Sequence, residues 1–172
     1  LAFDFGAFKA NVAVEGGYNE FYRDGLMRKG LFAGLDENGR EIVVDGKNLT
    51  TYDASGKVIT SKGKSEVQNF WTYSAKLGLQ YHFGGGHRVY ANGGYFNDAP
   101  TFSQSFISPR TRNSVVPNLE TIKTVSADLN YQYSNNGYNV RVTGFWTSIM
   151  DQTDMMSFYD DTQNSFTNFA MT

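Results

Sequence analysis

The sequence predicts an all-β fold: a segment of about six strands from an antiparallel transmembrane β-barrel. Three observations predict it. Apolar and polar residues alternate with a period of two in repeated segments, the connections between these segments are short and long in strict turn, and aromatic residues gather toward the segment ends. Period-two alternation is the pattern of a strand with two different faces.

Composition agrees with strands rather than helices. Aromatic residues make up 16% of the chain and Gly is frequent, which favours strands and turns. No apolar run reaches the roughly 18 residues of a transmembrane helix. The net charge of -2, without a basic cluster, argues against nucleic-acid binding, and the absence of cysteine excludes disulfides, thiol catalysis and Cys-based zinc sites. Because the sequence starts without Met and stops within a predicted strand, we interpret it as one internal piece of a larger protein.

The clearest strands are predicted at residues 68–83, 121–133 and 138–147. In each, residues of one parity are apolar or aromatic and most of the others are polar, as in a strand with one apolar face. The first apolar side consists of Trp71, Tyr73, Ala75, Leu77, Leu79, Tyr81 and Phe83. The second and third consist of Val125, Ala127, Leu129, Tyr131 and Tyr133, and of Tyr138, Val140, Val142, Gly144 and Trp146.

Weaker alternation predicts two further strands, one carrying apolar residues from Phe8 to Tyr18 and one from Val89 to Tyr95. A last strand is predicted to begin near Phe166, and residues 1–5 are predicted to be the tail of a preceding strand.

Short and long connections between the predicted strands alternate along the chain. Tight turns are predicted at residues 84–86 and 134–137, whereas long connections are predicted at about 19–66, 97–119 and 151–164. Outer-membrane barrels have short periplasmic turns and long extracellular loops, and a soluble β-sandwich has no reason to sort its loops in this way.

Aromatic residues are predicted to form two girdles on the lipid-facing side. From Trp71 to Phe83 a strand spans roughly 40 Å, which at a tilt of ~45° crosses about 28 Å, close to the ~25 Å apolar band of such barrels. The alternative is that these residues form an ordinary sandwich core. The predicted girdle residues are Trp71, Tyr73, Tyr81, Phe83, Tyr95, Tyr131, Tyr133, Tyr138 and Trp146.

The first long connection contains a repeated pattern, in which Asp36 and Asp53 each precede Gly by three residues and a basic residue by four. Gly at this position predicts tight turns between short strands, and therefore small hairpins. A calcium loop at residues 36–39 is disfavoured, because an EF-hand needs further ligands at alternating positions.

Several motifs together resemble a known family. They are Gly93-Gly94-Tyr95-Phe96-Asn97-Asp98-Ala99-Pro100, then Phe102, then Phe106-Ile107-Ser108-Pro109-Arg110-Thr111-Arg112-Asn113, and Val116-Pro117-Asn118-Leu119. This order is similar to TonB-dependent outer-membrane receptors, in the branch with a carboxypeptidase-like regulatory N-terminal domain. The hairpin around residues 131–146, the Asp151-Gln152-Thr153 start of a loop and the terminal residues 168–172 also resemble that family, and residues 31–64 resemble it least.

The resemblance implies a bacterial outer-membrane receptor and transporter that takes up a scarce nutrient. It implies a barrel of about 22 strands closed by an internal plug, of which this chain would hold only part of the wall. It also implies contact with membrane lipid, and with the TonB energy-coupling complex through an N-terminal region not contained here. The imported ligand could be a small molecule, a glycan or a peptide, and a surface lipoprotein could cap the barrel.

Within that framework, polar residues of the strands are predicted to face the lumen. They can line the wall and contact the plug, or contact substrate; the first role is the more common. Asp128 and Arg141 carry opposite charges on paired strands. The predicted lumen-facing residues are Lys76, Gln80, Arg88, Tyr90, Asn92, Asp128, Asn130 and Arg141.

A ligand site is predicted in the second long connection, where Arg110 and Arg112 accompany Phe102 and Phe106. A guanidinium beside aromatic rings can hold an anionic or planar ligand, but it can equally pair with loop carboxylates and stiffen the loop. The third connection is acidic, which indicates a solvated loop and, as the alternative, cation capture. Its carboxylates are Asp151, Asp154, Asp160 and Asp161.

No catalytic constellation is found, so an enzyme is not expected, nor are a cofactor and a metal. His82 and His87 flank the glycine turn without further ligands, and Gly84-Gly85-Gly86 lacks the Lys and Ser or Thr of a phosphate-binding loop. Two other functions remain open: a non-transporting membrane barrel that acts as an adhesin or anchor, and a soluble β-sandwich that binds carbohydrate. The sandwich would need polar outward faces.

Overall fold

A computed structural model of the chain describes residues 1–161 and 165–171. The fold is all-β with antiparallel pairing, and the helical structure in this part is one 3-10 turn, Gly30–Phe32, and one short helix α1, Phe102–Ser105. None of the described helices is long and apolar enough to cross a membrane. The strands are β1 (Ala2–Phe5), β2 (Phe8–Phe21), β3 (Asp24–Gly25), β4 (Val43–Val44), β5 (Lys47–Asn48), β6 (Thr51–Tyr52), β7 (Val58–Ile59), β8 (Gly63–Lys64), β9 (Gln68–Gly84), β10 (His87–Asp98), β11 (Ile122–Asn135), β12 (Tyr138–Met150), β13 (Asp154–Asp160) and β14 (Ser165–Met171).

The first of two compact units comprises residues 1–18, 71–99 and 121–152. It contains a six-stranded antiparallel sheet in the order β1-β2-β9-β10-β11-β12, so every strand pairs with the next long strand along the chain. Within the described residues β1 and β12 each pair on one side only, and the sheet does not close on itself.

The predicted strands of this sheet are confirmed and most prove longer. β2 continues to Phe21 and β10 to Asp98, so the first two long connections are 22–67 and 99–121. Short and long connections still alternate through the sheet.

The two predicted tight turns have the local backbone that their sequences favour. Asn136 and Gly137 have φ of 48° and 85°, and Gly85 and Gly86 have φ of 59° and 88°. Two positive φ angles in a two-residue turn match the twist of the flanking strands, and only Gly, Asn and Asp accept them readily.

The second unit comprises residues 19–70, 100–120 and the part of 153–172 that is described. It is built from small antiparallel pairs, β3 with β8, β4 with β5, β6 with β7 and β13 with β14. Its small core contains Ala33, Phe106 and Val116, all buried.

The repeated turns of the first long connection are confirmed as turns. The Asp36 Oδ1 accepts hydrogen bonds from the amides of Asn38 (2.8 Å) and Arg40 (2.7 Å), and the Asp53 Oδ1 does the same for Ser55 and Lys57, both at 2.9 Å. The Asp53 turn joins β6 and β7 in the small hairpin expected, whereas the Asp36 turn is closed by a single bridge between Leu35 and Glu41.

The third long connection differs from its prediction. The sequence predicts a loop from residue 151 to 164, but β13 occupies Asp154–Asp160 and pairs with β14. Residues 162–164, the end of that predicted loop, and Thr172, the end of the last predicted strand, lie outside the described residues. Paired backbone groups stabilise β13 although its side chains alternate poorly.

Candidate functional site

The strand register brings the predicted apolar sides together on one face of the six-stranded sheet. Leu129 lies opposite Ala91 and Gly144, and Ala91 lies opposite Leu79. Directly opposite residues in an antiparallel sheet project to the same side. We call this side the apolar face; on β9 to β12 it consists of Trp71, Tyr73, Ala75, Leu77, Leu79, Tyr81, Phe83, Val89, Ala91, Gly93, Tyr95, Val125, Ala127, Leu129, Tyr131, Tyr133, Tyr138, Val140, Val142, Gly144 and Trp146.

The first two strands extend the apolar face. Phe3 lies opposite Ala10 and Phe5 opposite Phe8, and the rings of Phe5 and Phe8 stack with centroids 6.4 Å apart. Near the other end of β2, the ring of Tyr18 lies 5.0 Å from that of Trp71. The face is therefore continuous across all six strands.

Aromatic residues occupy the two ends of the apolar face and aliphatic residues its middle. Near the tight turns the rings of Tyr81 and Phe83 meet at 4.7 Å. At the opposite end Tyr73 and Tyr95 stack at 5.9 Å. All nine predicted girdle residues lie on this face; their contact with lipid stays a prediction.

The middle and the ends of the face are both exposed. Trp71 is 72% exposed, Leu129 58% and Val142 62%. Soluble monomers rarely expose contiguous apolar areas above a few hundred Å², and larger ones mark interfaces with protein or membrane.

The opposite side of the sheet is mostly polar, although Phe96, Phe145 and Ile149 also lie on it, and hydrogen bonds link several of its polar side chains. The Asn92 side chain donates to Asp128 at 2.9 Å, Asn130 donates to the same carboxylate, and Thr143 donates to Asn130 at 2.6 Å. Arg141 lies opposite Gln132 and Asp128 opposite Phe145, so these two charges are not cross-strand partners. All eight predicted lumen-facing residues share this side, from Lys76 opposite Gly94 to Arg141; that it borders a lumen stays a prediction.

The two histidines are on opposite sides of the sheet. His82 lies opposite Arg88 on the polar side and is hydrogen-bonded to Gln80, whereas His87 lies opposite Tyr133 and its Nδ1 is 2.6 Å from the hydroxyl of Tyr131. They therefore cannot share a metal ion. Within residues 1–161 and 165–171 no group of acidic and histidine side chains has the arrangement of a metal site.

In the second unit, the buried Arg23 joins two long connections. Its Nε donates to the carbonyl of Pro109 at 2.6 Å, and its Nη1 donates to the carbonyl of Ser61 at 2.8 Å and to the side chain of Asn113. Asn113 in turn donates to the Gly63 carbonyl at 3.0 Å. The sequence does not predict this cluster, because no pattern near Arg23 indicates partners that lie so far away along the chain.

The four predicted ligand residues do not form one site in the structure. Phe106 is fully buried and its ring packs against that of Phe102, with centroids 4.7 Å apart, so it belongs to the core of this unit and is not available to a ligand. Arg110 is exposed, and its carbonyl accepts a hydrogen bond from the Lys29 ammonium at 2.8 Å. The aromatic partner of Arg112 is Phe32, from the first long connection, whose ring centroid is 5.0 Å from the guanidinium carbon.

Arg112 differs from the other predicted ligand residues in having an unpaired buried N–H group. Its Nε is buried without a hydrogen-bond partner, and it forms no ion pair within the described part of the chain. Burial lowers the pKa of its guanidinium, because desolvation disfavours the charged form. The alternative role, pairing with a loop carboxylate, is therefore not what the structure shows for Arg112.

Arg112 lines an open cleft of about 570 Å³. Its charged walls include Asp53, Lys57, Lys64 and Glu66, and its apolar walls include Ile107. A volume of roughly 300–1,000 Å³ is typical of small-molecule sites.

Two of these charges neutralise each other. Lys57 forms an ion pair with Glu66, and the hydrogen bond between them raises the pKa of the Lys57 ammonium. The Asp53 carboxylate is used by its own turn, and its hydrogen bond from the Ser55 hydroxyl lowers its pKa.

In the third connection, Asp151 accepts a hydrogen bond from Lys123 at 2.6 Å. A partly exposed pair of this kind contributes little stability and leaves Asp151 a poor candidate for cation capture.

Neither a family model, nor a curated protein, nor a solved structure matches this chain.

Proposed function

We propose that this chain forms part of the wall of a bacterial outer-membrane β-barrel, with the apolar face toward lipid and the polar side toward the lumen. The observation that carries the proposal is the apolar face, on which the register aligns an aliphatic middle between two aromatic ends. A lipid-facing barrel wall has this arrangement, with aromatic girdles at both membrane interfaces.

The connections support the orientation. Tight turns join β9 to β10 and β11 to β12, whereas the long connections that form the second unit join β2 to β9 and β10 to β11. In the proposed barrel the turns are periplasmic and the long connections are extracellular. Because β1 and β12 each have an unpaired edge within the described residues, closure requires further strands.

We further propose that the barrel is a receptor that imports a scarce nutrient by TonB-coupled transport. This step rests on the family resemblance of residues 93–119 and on a ligand-sized cleft in the second unit. The TonB complex would act through a region outside this chain, and a surface lipoprotein would contact the extracellular loops. The polar side, with its hydrogen-bonded Asn92, Asp128 and Asn130, would line the wall rather than select the solute.

The first test measures which residues of β9 contact lipid. Because this chain has no cysteine, single cysteines are placed at Lys76, Leu77, Leu79 and Gln80 in the full-length protein with any other cysteines removed, and each is labelled with a fluorophore. The protein is reconstituted in vesicles of brominated lipid. Strong quenching at 77 and 79 with little at 76 and 80 supports the proposal, whereas equal and weak quenching at all four positions supports a soluble β-protein.

A second test measures orientation in intact cells. Ala54→Cys lies at the tip of the β6–β7 hairpin and Asn135→Cys at the end of β11 beside a tight turn. A membrane-impermeant maleimide is expected to label position 54 and not position 135 until the outer membrane is permeabilised. Labelling of both before permeabilisation would contradict the orientation.

The importer is separated from an adhesin or anchor by the energy requirement. Accumulation of a nutrient that depends on this protein is expected to stop when a proton uncoupler is added, because TonB coupling uses the inner-membrane gradient. A barrel that supports adhesion but no uncoupler-sensitive uptake would favour the anchor.

A further inference from the structure

Arg112 has one buried N–H, that of Nε, without a hydrogen-bond partner in the described part of the chain. Its guanidinium lies over the Phe32 ring, at 5.0 Å, while its buried Nε has no acceptor within residues 1–161 and 165–171. A guanidinium has five N–H donors in a planar fork that fits the two oxygens of a carboxylate. A buried donor without an acceptor is costly, so an acceptor that reaches this guanidinium is expected to bind favourably.

The cleft around Arg112 has a surplus of available positive charge. Lys57 and Glu66 cancel in their ion pair, and the Asp53 Oδ1 accepts three hydrogen bonds from residues of its own turn. The two remaining cations, Arg112 and Lys64, contact aromatic rings rather than carboxylates, Lys64 lying 4.8 Å from the Tyr22 ring centroid.

One part of the cleft wall is apolar, and the rest consists of the charged residues and of the neutral polar residues Ser55, Thr60, Ser65, Asn113 and Ser114. Val58, Ile59, Ile107, Val115 and Pro117 line it together with the charged residues. A ligand that fits must therefore present an anionic group to Arg112 and an apolar body to these side chains.

We propose that this cleft binds a small organic carboxylate, with the carboxylate paired to the Arg112 guanidinium and the apolar body against the aliphatic wall. The inference rests on the proposed function in one respect: such a carboxylate, free or carried on a larger compound, is then the class of nutrient that the receptor captures.

Benzoate is a suitable probe because it joins one carboxylate to a compact apolar ring, and benzamide is its neutral counterpart of nearly the same shape. Binding is measured on the full-length protein in detergent micelles. In an NMR titration of ¹⁵N-labelled protein, benzoate is expected to shift the Arg112 Nε–H signal, and benzamide at the same concentration is expected to leave it in place.

Variants identify the residue responsible. Arg112→Gln is expected to weaken benzoate binding about tenfold or more, which corresponds to the loss of one charge-assisted pair. Arg112→Lys keeps the charge but loses the planar pair of N–H donors, and it is therefore also expected to weaken benzoate binding. Arg28→Gln, an exposed arginine of the same unit that does not line the cleft, is the matched control and should bind as the wild type does.

The proposal is overturned if benzoate does not bind, if benzamide binds equally well, or if Arg112→Gln binds benzoate unchanged. The wild-type NMR titration keeps the test valid even where Arg112→Gln disturbs the loop. Lipid quenching on β9 is independent of this cleft. If quenching supports a barrel but benzoate does not bind, the carboxylate proposal fails and the proposed barrel remains.

Discussion

The guanidinium of Arg23 donates a hydrogen bond to the side chain of Asn113, which lies 90 residues further along the chain. Together with the Ser61 and Pro109 carbonyls, this bond ties the first long connection to the second within one compact unit. The charge is buried among neutral acceptors rather than paired with a carboxylate. A buried charge is costly unless it is hydrogen-bonded, so the unit is expected to depend strongly on these three bonds.

Replacing Arg23 by Gln is expected to open the second unit locally. The substitution leaves carbonyls of Ser61 and Pro109 without their donor and should cost about 2–4 kcal/mol of local stability. Hydrogen exchange at the Asn113 amide, which donates to the Thr60 carbonyl at 2.7 Å, reports that opening.

Arg28→Gln is the matched control, since Arg28 is exposed in the same connection. Surface substitutions of this kind usually change stability by about 0.5 kcal/mol or less. Equal exchange in the two variants would show that the Arg23 cluster does not hold the unit together.

Gly25 is required by the same cluster. A Cβ at this position would lie 1.7 Å from the Ser61 carbonyl oxygen that accepts from Arg23. Since that contact is with backbone, Gly25→Ala should displace the β3–β8 pair and cost about 1–3 kcal/mol, as overpacking does. Gly16→Ala, with no atom within 4 Å of the new methyl group, is the control. Protease cleavage of the first long connection should accelerate in the first variant only.

The sheet was largely predictable because its signal is local. Each of β9, β11 and β12 carries its own period-two alternation, and Asn136-Gly137 specifies a tight turn by itself. β13 was missed for the same reason: Met155 and Met156 are adjacent, as are Phe158 and Tyr159, so apolar residues fall on both parities and no face is indicated.

The second unit was predictable only in its turns. Asp36 and Asp53 fold their own neighbours, and the pattern is visible within five residues. The partners of Arg23 and Arg112 are brought together by the fold, and no short-range pattern selects Phe32 rather than Phe102 as the ring beside Arg112.

The β6–β7 hairpin is expected to respond to acid through Asp53. The Ser55 hydroxyl and the amides of Lys57 and Ser55 stabilise the carboxylate and lower its pKa below the ordinary 3.8. Because the pKa is lower in the folded hairpin, the carboxylate's contribution to stability is fully present above about pH 3.8, the unfolded value, and is lost as the pH falls through the lower folded pKa.

The measurement is the Lys57 amide chemical shift as a function of pH, whose midpoint should lie below 3.8. Asp53→Asn keeps an acceptor oxygen without a titrating group, so its shift should stay constant over the same range. A midpoint at or above the ordinary carboxyl value would contradict the role assigned to the turn.

The strongest stability contrast is expected between two positions on the paired strands β11 and β12. Leu129 lies in the aliphatic middle of the apolar face, opposite Ala91 and Gly144, and Arg141 lies on the polar side opposite Gln132. If the apolar face contacts lipid, Leu129→Arg buries a charge in the hydrocarbon region and should cost about 2–4 kcal/mol in a bilayer. Arg141→Val removes a charge from the opposite side and should change stability by about 1 kcal/mol or less, because Arg141 is exposed and forms no ion pair in the described part of the chain. Urea unfolding in phospholipid vesicles measures both. If the face is instead solvated, a new surface arginine at position 129 should be nearly neutral, so equal midpoints for the two variants would count against a membrane location as directly as weak quenching on β9.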